Sequence, residues 1–234
     1  MTLFERATNP KQYDEKDVIW ENEVSLDSPT RKFFWDYLCK YDWKGKSVLD
    51  IGCGSGWLMS LIKEAGAIHV EGIEPSDKNI HLANKYYPQL EIHHCSIEEY
   101  NTQKKYDIII SVMALNHIAD PTRVFRKIEK MLNGDLIIVV PDYDYHIMPR
   151  NNYKMKIERI NQSETVVEVV RPQGTIADVV RKIEIYQSAL KGSKLKIIRQ
   201  RPMYPTEALM QSIPVFRNHK DRPITVLIHA KCDQ

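Results

Sequence analysis

From residue 45 to residue 141 the chain alternates short apolar runs with stripes of apolar residues spaced by three and four. The runs at Val48–Ile51, 68–74, Leu90–His94, Tyr106–Val112 and Leu136–Pro141 predict strands, buried on both faces where the run is unbroken. Between them, Trp57, Leu58, Leu61, Ile62 and Ala65 recur at helical spacing, as do Ile80, Ala83 and Tyr87, and then Val124, Phe125, Ile128, Met131 and Leu132. Ser76 and Asp120-Pro121 are helix starts, and Gly66, Pro88 and Asn133-Gly134 are stops. Upstream, Ser28 as N-cap and Pro29 at the first helical position open a helix over about 29–41, with Phe33, Phe34, Tyr37, Leu38 and Tyr41 on one stripe. Strand and helix in alternation predict right-handed crossovers and a parallel sheet with helices on both faces.

The two ends of the chain break this rhythm. Residues 1–26 are polar and acidic, with Phe4, Tyr13 and Trp20 as their prominent rings, and read as irregular or weakly helical. After Pro141, residues Asp142 to Asn152 have no apolar period. Alternating runs from Tyr153 to Ile160 and from Glu164 to Val170 then flank Asn161-Gln162-Ser163, which predicts an inserted β-hairpin. A last helix is expected over about 176–190, carrying Ile176, Val179, Val180, Ile183, Tyr186 and Leu190. Final strands are expected at Lys194–Arg199 and Ile224–Ala230, joined by a long Pro-rich connection from Pro202 to Pro223. The chain thus divides into an N-terminal helical or lid segment, 1–44, and an α/β domain, 45–234, with 142–173 as a lid over a substrate.

Composition narrows the class without naming a function. The 234 residues suffice for one α/β domain, and 43% hydrophobic with 27% charged residues is ordinary for a globular protein. No apolar run is long enough to span a membrane, and Met1–Arg6 has no signal-peptide core, so a cytoplasmic protein is expected. Cys39, Cys53, Cys95 and Cys232 lack any CxxC spacing and read as reduced thiols. The net charge of +2 is unevenly spread: residues 141–234 hold 16 Lys/Arg against 10 Asp/Glu, and the first 140 hold 17 against 21. That imbalance is smaller than nucleic-acid binders usually carry, so no nucleic-acid partner is expected and a small molecule is.

Chemistry enters at Val48-Leu49-Asp50-Ile51-Gly52-Cys53-Gly54-Ser55-Gly56-Trp57, an apolar run with one acid that ends in three glycines on alternate positions. Such a turn leaves backbone bare enough to touch a ligand. Eighteen residues after Gly56 a second run ends on Glu74, at the distance where a strand-end carboxylate meets the ribose of a bound nucleoside. The third glycine of a dinucleotide motif is absent and bulky Trp57 follows Gly56 directly. No Gly-Lys-Ser/Thr follows either, which excludes a phosphate loop. Asp50, two residues before the first glycine, would repel a pyrophosphate and suit an amino group. The pattern asks for a nucleoside with a cationic amino-acid tail.

With Glu74, Tyr106–Asp120 and Leu136–Pro141 added, this stretch resembles the class I S-adenosylmethionine-dependent methyltransferases, of the small-molecule type. The resemblance covers most of residues 45–141. It implies a Rossmann-like, doubly wound sheet of seven strands, mostly parallel with the last strand antiparallel. It implies S-adenosylmethionine as cofactor and S-adenosylhomocysteine as product. Gly52, Cys53, Gly54 and Gly56 would meet the methionine part, Asp50 its amino group, and Glu74, with Pro75 after it, the ribose. Ser96-Ile97 falls beside the adenine, where the family usually has an acid. Val112 and Met113 would line the cofactor near its reactive methyl, and Tyr13 is a candidate to fold over it. Asn133-Gly134-Asp135 stands where many members have Pro-Gly-Gly.

Methyl transfer from a sulfonium is an in-line displacement that alignment in a dry pocket can largely achieve, so a general base is optional. Candidates for catalysis are His117, after the fourth predicted strand, and His146 and Tyr143 in the lid; Tyr145 and Tyr153 would shape a substrate pocket. Each has a plainer reading: a packed or capping histidine for His117, a solvated loop histidine for His146, a core ring for Tyr13. Alternation of Asp142, Asp144 and His146 is too thin a basis for a metal, His93-His94-Cys95 reads as a strand end, and no metal is expected. The expectation is methyl transfer to an O or N atom of a small molecule, with a natural product as substrate, by a monomer or homodimer. The alternatives are an intramolecular cyclase or lyase using the same cofactor, and an RNA or protein methyltransferase.

Overall fold

The computed structural model describes residues 1–14, 28–150, 154–171 and 174–232. Trp20 and Tyr153 therefore lie outside the described residues. In order, the elements are α1 (Leu3–Ala7), a 3₁₀ turn (Pro10–Asp14), α2 (Pro29–Leu38), β1 (Ser47–Ile51), α3 (Trp57–Glu64), β2 (His69–Ile73), α4 (Asp77–Tyr86), β3 (Glu91–His93) and β4 (Tyr106–Val112). A 3₁₀ turn (Leu115–His117), α5 (Pro121–Met131), β5 (Leu132–Pro141) and α6 (Tyr143–His146) follow. Then come β6 (Lys154–Arg159), β7 (Glu164–Arg171), β8 (Gly174–Arg181), α7 (Ile183–Lys191), β9 (Leu195–Met203), α8 (Glu207–Ser212), a 3₁₀ helix (Pro214–His219) and β10 (Thr225–Cys232).

Seven strands form one sheet in the order β3-β2-β1-β4-β5-β10-β9. The first five run parallel, and the last strand, β10, is antiparallel to both of its neighbours. Strand order reverses between β1 and β4, so a crevice opens beyond their carboxyl ends. Period-2 geometry divides β5 between two cores: Ile137 and Val139 pack with Phe33, Leu38, Leu58 and Ile62 of α2 and α3, while Leu136, Ile138 and Val140 pack with Phe125, Ile128 and Tyr186 of α5 and α7. Each such fully buried side chain is worth about 1.5–3 kcal/mol of burial. Glu71 of β2 is buried and joins β2 to β3: it accepts from Tyr106 (3.1 Å), His93 (2.9 Å), Lys104 (2.5 Å) and His69. Burial alone would raise its carboxyl, but these donors outweigh it and bring the group down to about 2. No described helix is long and apolar enough to cross a membrane.

Several local expectations are revised. The helix expected over 176–190 is two elements, because residues 174–181 form β8, which pairs antiparallel with β7 from Arg171↔Gly174 to Glu164↔Arg181. In the sheet β6-β7-β8 the strand β8 is covered on both faces: Ala177 and Val179 pack on Leu3 and Ala7 of α1, and Val180 packs with Tyr143 and Ile147. Two-sided burial erases strand alternation, and Ile176, Val179, Val180 and Ile183 then mimic a helical stripe. Asn133-Gly134 does not close α5, which passes directly into β5; a Cβ on Gly134 would collide with the Asp107 carbonyl of β4. Ser28 is buried at the N-cap of α2 without a side-chain capping bond, although Pro29 does hold the first position. Residues 3–7 are regular helix, closed by a reciprocal capping box between Thr2 and Glu5. The Pro-rich connection contains α8 and a 3₁₀ helix, and β9 runs on to Met203.

Candidate active site

At the carboxyl end of β1 the chain turns through Gly52, Gly54 and Gly56 at φ 70°, 57° and 82°, values open to glycine at little cost. A side chain on Gly52 would also run into Ala114 Cβ from the neighbouring strand end. Cys53, Ser55 and Trp57 fill the intervening positions, and burial pushes the Cys53 thiol well up, so this thiol is a packing group. Glu74, one residue past β2, reaches back to this turn: its Oε2 accepts from Gly54 N at 2.8 Å and its Oε1 from Ser76 N at 3.0 Å and Asn79 Nδ2 at 3.3 Å. Burial raises its carboxyl in spite of these bonds. Behind the turn, Asp50 is buried, and no described residue donates to its carboxylate. Burial, reinforced by the charge of Glu74, pushes it up to about 8. Two buried acids with spare acceptor capacity beside bare backbone suit a ligand that brings donors and positive charge.

Glu74 and the glycine turn border a cavity of about 570 Å³, within the range of small-molecule and cofactor sites. Of the residues singled out from the sequence, Gly52, Cys53, Gly54, Glu74 and Pro75 line it on one side. Ser96 and Ile97 line it beyond β3, and Val112, Met113 and His117 beyond β4. Tyr13 closes it from the N-terminal segment. Asp50 and Gly56 stand just behind the wall; Gly56 is the left-handed N-cap of α3, packed against Leu90. Met113 has φ 56°, the one positive value among described non-glycine residues, a strained conformation held at a cavity wall by its N–H to Val139 O (2.9 Å).

His117 is tied down at both ring nitrogens. Nδ1 lies 3.0 Å from the Ala7 carbonyl, which can only accept, and Nε2 lies 2.6 Å from Tyr13 Oη. The neutral ring therefore carries its proton on Nδ1 and accepts at Nε2.

Tyr143 and His146 do not line this cavity. Tyr143 packs against Val167, Val169 and Val180 and shares a hydrogen bond with Thr165 Oγ1 (2.9 Å). His146 Nε2 donates to the Ile224 carbonyl at 3.1 Å, and its ring sits edge-on to Tyr145. Asp142 caps α6 by accepting from Tyr145 N (3.0 Å).

Sequence reasoning missed the residues that reach the cavity from far along the chain. Arg31 of α2 lines it, donates to Ser55 Oγ (3.1 Å) and lies over the Trp57 ring. Thr8, Pro10 and Lys11 form its N-terminal rim. That rim is clasped by Asp14, which accepts from Ser76 Oγ (2.7 Å) and Lys78 N (2.9 Å), and by Gln12, whose amide pairs with both N and O of Ala177. A polar, acidic N-terminal stretch offers no periodic signal for such clasps.

A seven-stranded sheet in this order, with a glycine turn after β1 and an acid after β2 bordering a cavity, is the class I methyltransferase architecture. A family model described as "Methyltransferase domain" matches residues 28–182, well over half of the chain, and the protein belongs to this family of S-adenosylmethionine-dependent methyltransferases. Among curated relatives, a ubiquinone biosynthesis O-methyltransferase of Aromatoleum aromaticum is 28% identical over 197 residues, which cover 80% of this chain and 78% of that one. An S-adenosylmethionine-dependent methyltransferase from Mesorhizobium loti superposes with a TM-score of 0.68 at 21% identity, covering 88% of this chain and 100% of that one. Magnesium protoporphyrin IX methyltransferase from Synechocystis, crystallised with bound S-adenosylmethionine, gives 0.61 at 14% identity, covering 97% and 96%.

Proposed function

We propose that this methyltransferase transfers the methyl group of S-adenosylmethionine to an oxygen atom of a small molecule, a phenol or related hydroxyl compound of natural-product type. The observation that carries the choice of oxygen is His117, an imidazole on the cavity wall whose Nδ1 faces the Ala7 carbonyl, which can only accept, and whose Nε2 faces the Tyr13 hydroxyl. A hydroxyl acceptor must lose its proton as it is methylated, and an accepting Nε2 beside the reacting end is suited to take it. The O-methyltransferase of A. aromaticum, 28% identical, supports the same reading.

The residues divide the work as follows. Asp50, protonated in the empty site, gives up its proton when the ammonium of the methionine part arrives and then meets that charge as a carboxylate, and Glu74 offers acceptors to the ribose hydroxyls. Arg31, beside the glycine turn, suits the carboxylate end. When bound, S-adenosylmethionine supplies an electrophilic methyl carbon on a sulfonium and leaves as S-adenosylhomocysteine. Met113 and Val112 shape the apolar wall that keeps water from the reacting atoms, and Tyr13 closes it and hydrogen-bonds His117. On the acceptor side the enclosure is the N-terminal rim of Thr8, Pro10, Lys11 and Tyr13; among the described residues of 142–173 none lines the cavity. In the same reading the protein works in the cytoplasm.

The test is product analysis. Incubation with S-adenosylmethionine and a panel of phenols, carboxylic acids and amines should release S-adenosylhomocysteine with phenols, and far less in the His117→Asn variant. Methylthioadenosine as product, or methylation confined to amines, would overturn the proposal.

A further inference from the structure

The sheet β6-β7-β8 touches the site through one strand. β8 packs along the 3₁₀ turn that carries His117, and two of its charged side chains engage that turn. Arg181 is fully buried: its Nη2 donates to Ile118 O (2.6 Å), its Nη1 to Leu115 O (3.4 Å), and its Nε to Glu164 Oε1 of β7 (2.8 Å). The two carbonyls flank residues 116 and 117, so one guanidinium grips the turn at both ends. Asp178 Oδ1 accepts from Asn116 Nδ2 (2.5 Å) and lies 3.3 Å from His117 Nε2.

That placement has a direction. In the neutral ring with its proton on Nδ1, Nε2 takes hydrogen bonds from Tyr13 (2.6 Å) and from Asn116 Nδ2 (3.0 Å), so it gives nothing to Asp178. Once Nε2 is protonated the ring has a donor and a positive charge on that side, and Asp178 is the nearest anion to meet both. The other charged or titratable groups facing the ring are Tyr13 from the N-terminal segment, Glu74 from the β2 end, and Arg181 behind the turn. Asp178 is held for this role by Asn116, and its side chain is mostly covered.

We propose that β8 belongs to the proton-transfer apparatus, with Asp178 the positioning acid that stabilises protonated His117 and the Arg181–Glu164 pair the clamp that fixes its turn. The inference rests on the reading of His117 as proton acceptor. In the step concerned, the Tyr13 hydroxyl takes the acceptor O–H proton and passes its own to Nε2, the O–CH₃ bond forms as the S–CH₃ bond breaks, Asp178 stays ionised throughout, and the imidazolium later returns its proton to water.

The experiment is an NMR titration of the His117 ring in the full chain without ligands, with His117→Asn used to assign the resonance. Replacing Asp178 by Asn should lower the titration midpoint by about one pH unit, and Asp178→Glu should bring it back toward wild type. Asp178→Ser serves as a second variant, with the same downward shift expected should the Asn variant not fold. A midpoint unmoved in the neutral variants, with only the melting temperature lowered, would leave Asp178 a purely structural residue and overturn the proposal. Failure of the underlying reading is separately visible: undiminished release of S-adenosylhomocysteine by His117→Asn with catechol as probe would remove His117 from the chemistry, whatever the titration shows. Loss of that release together with an unmoved midpoint would sink only the role given to Asp178.

Discussion

The two walls of the cavity are built in different ways. The wall at β1 and β2 is short-range: a glycine turn, an acid one residue past the next strand, and a backbone bond from Gly54 to Glu74 twenty residues apart. The opposite wall is assembled from distant pieces. His117 sits among Ala7, Tyr13 and Asp178, Gln12 pairs with Ala177 at a separation of 165 residues, and Arg6 meets Glu168 at 3.2 Å. The first wall can be read by spacing because backbone conformation does most of its work. Side chains converging from elements far apart in the chain make the second, and no local rule announces them.

If that division holds, damage to one wall should leave the other's function standing. The largest effect is expected at Gly52→Val, where a β-branched residue must adopt φ 70° and also displace Ala114. We expect about 3 kcal/mol of lost stability in urea unfolding, and no measurable heat on titration with S-adenosylmethionine. Next, Arg181→Met leaves Glu164 and two buried carbonyls without their donor. It should cost about 2–4 kcal/mol in the same unfolding assay. Affinity for S-adenosylmethionine should nonetheless stay within about twofold; a larger loss would mean the walls are not independent.

Glu74→Ala makes the converse cut. Calorimetric titration should record about 1–3 kcal/mol of lost S-adenosylmethionine affinity. Stability should fall by only about 1–2 kcal/mol, because Gly54 N and Ser76 N lose their acceptor while a buried, raised carboxyl is removed with it. NAD should bind neither form.

The smallest and most diagnostic effect concerns pH. Asp50 is raised in the folded protein to about 8, far above an unfolded carboxyl near 3.9, so the native state holds the extra proton between those values. Its contribution is complete below about pH 4 and is lost as pH rises through 8, costing the ligand-free protein about 1 kcal/mol between pH 7 and 8. Urea midpoints across that range should fall for wild type and stay flatter for Asp50→Asn. Glu71, depressed to about 2, acts oppositely and weakens the fold only in acid, so the two acids separate by pH window.

The same division explains how much could be read in advance. The strands β1, β2, β4 and β5 stand within a few residues of their apolar runs, and the glycine turn and Glu74, read from spacing, border one cavity with Val112 and Met113, which only the family resemblance singles out. Tyr143 and His146 were singled out as polar rings on an irregular stretch, yet the fold spends them on Thr165 and on the Ile224 carbonyl. β8 was mistaken for helix because both of its faces are covered, and with that error Asp178 and Arg181 went unnoticed. Arg31 and Gln12 had no pattern to betray them.

What the chain determined through its sequence alone is the nucleoside half of the protein: the parallel sheet, the turn of alternate glycines and the acids at 50 and 74. Those follow from dihedral freedom and periodicity, which are properties of adjacent residues. Which histidine faces the cavity, which acid stands beside it, and that an inserted sheet grips its turn were decided by tertiary structure. Those are facts about distance between polar groups 60 to 170 positions apart, and only the packed chain brings such groups within hydrogen-bond reach.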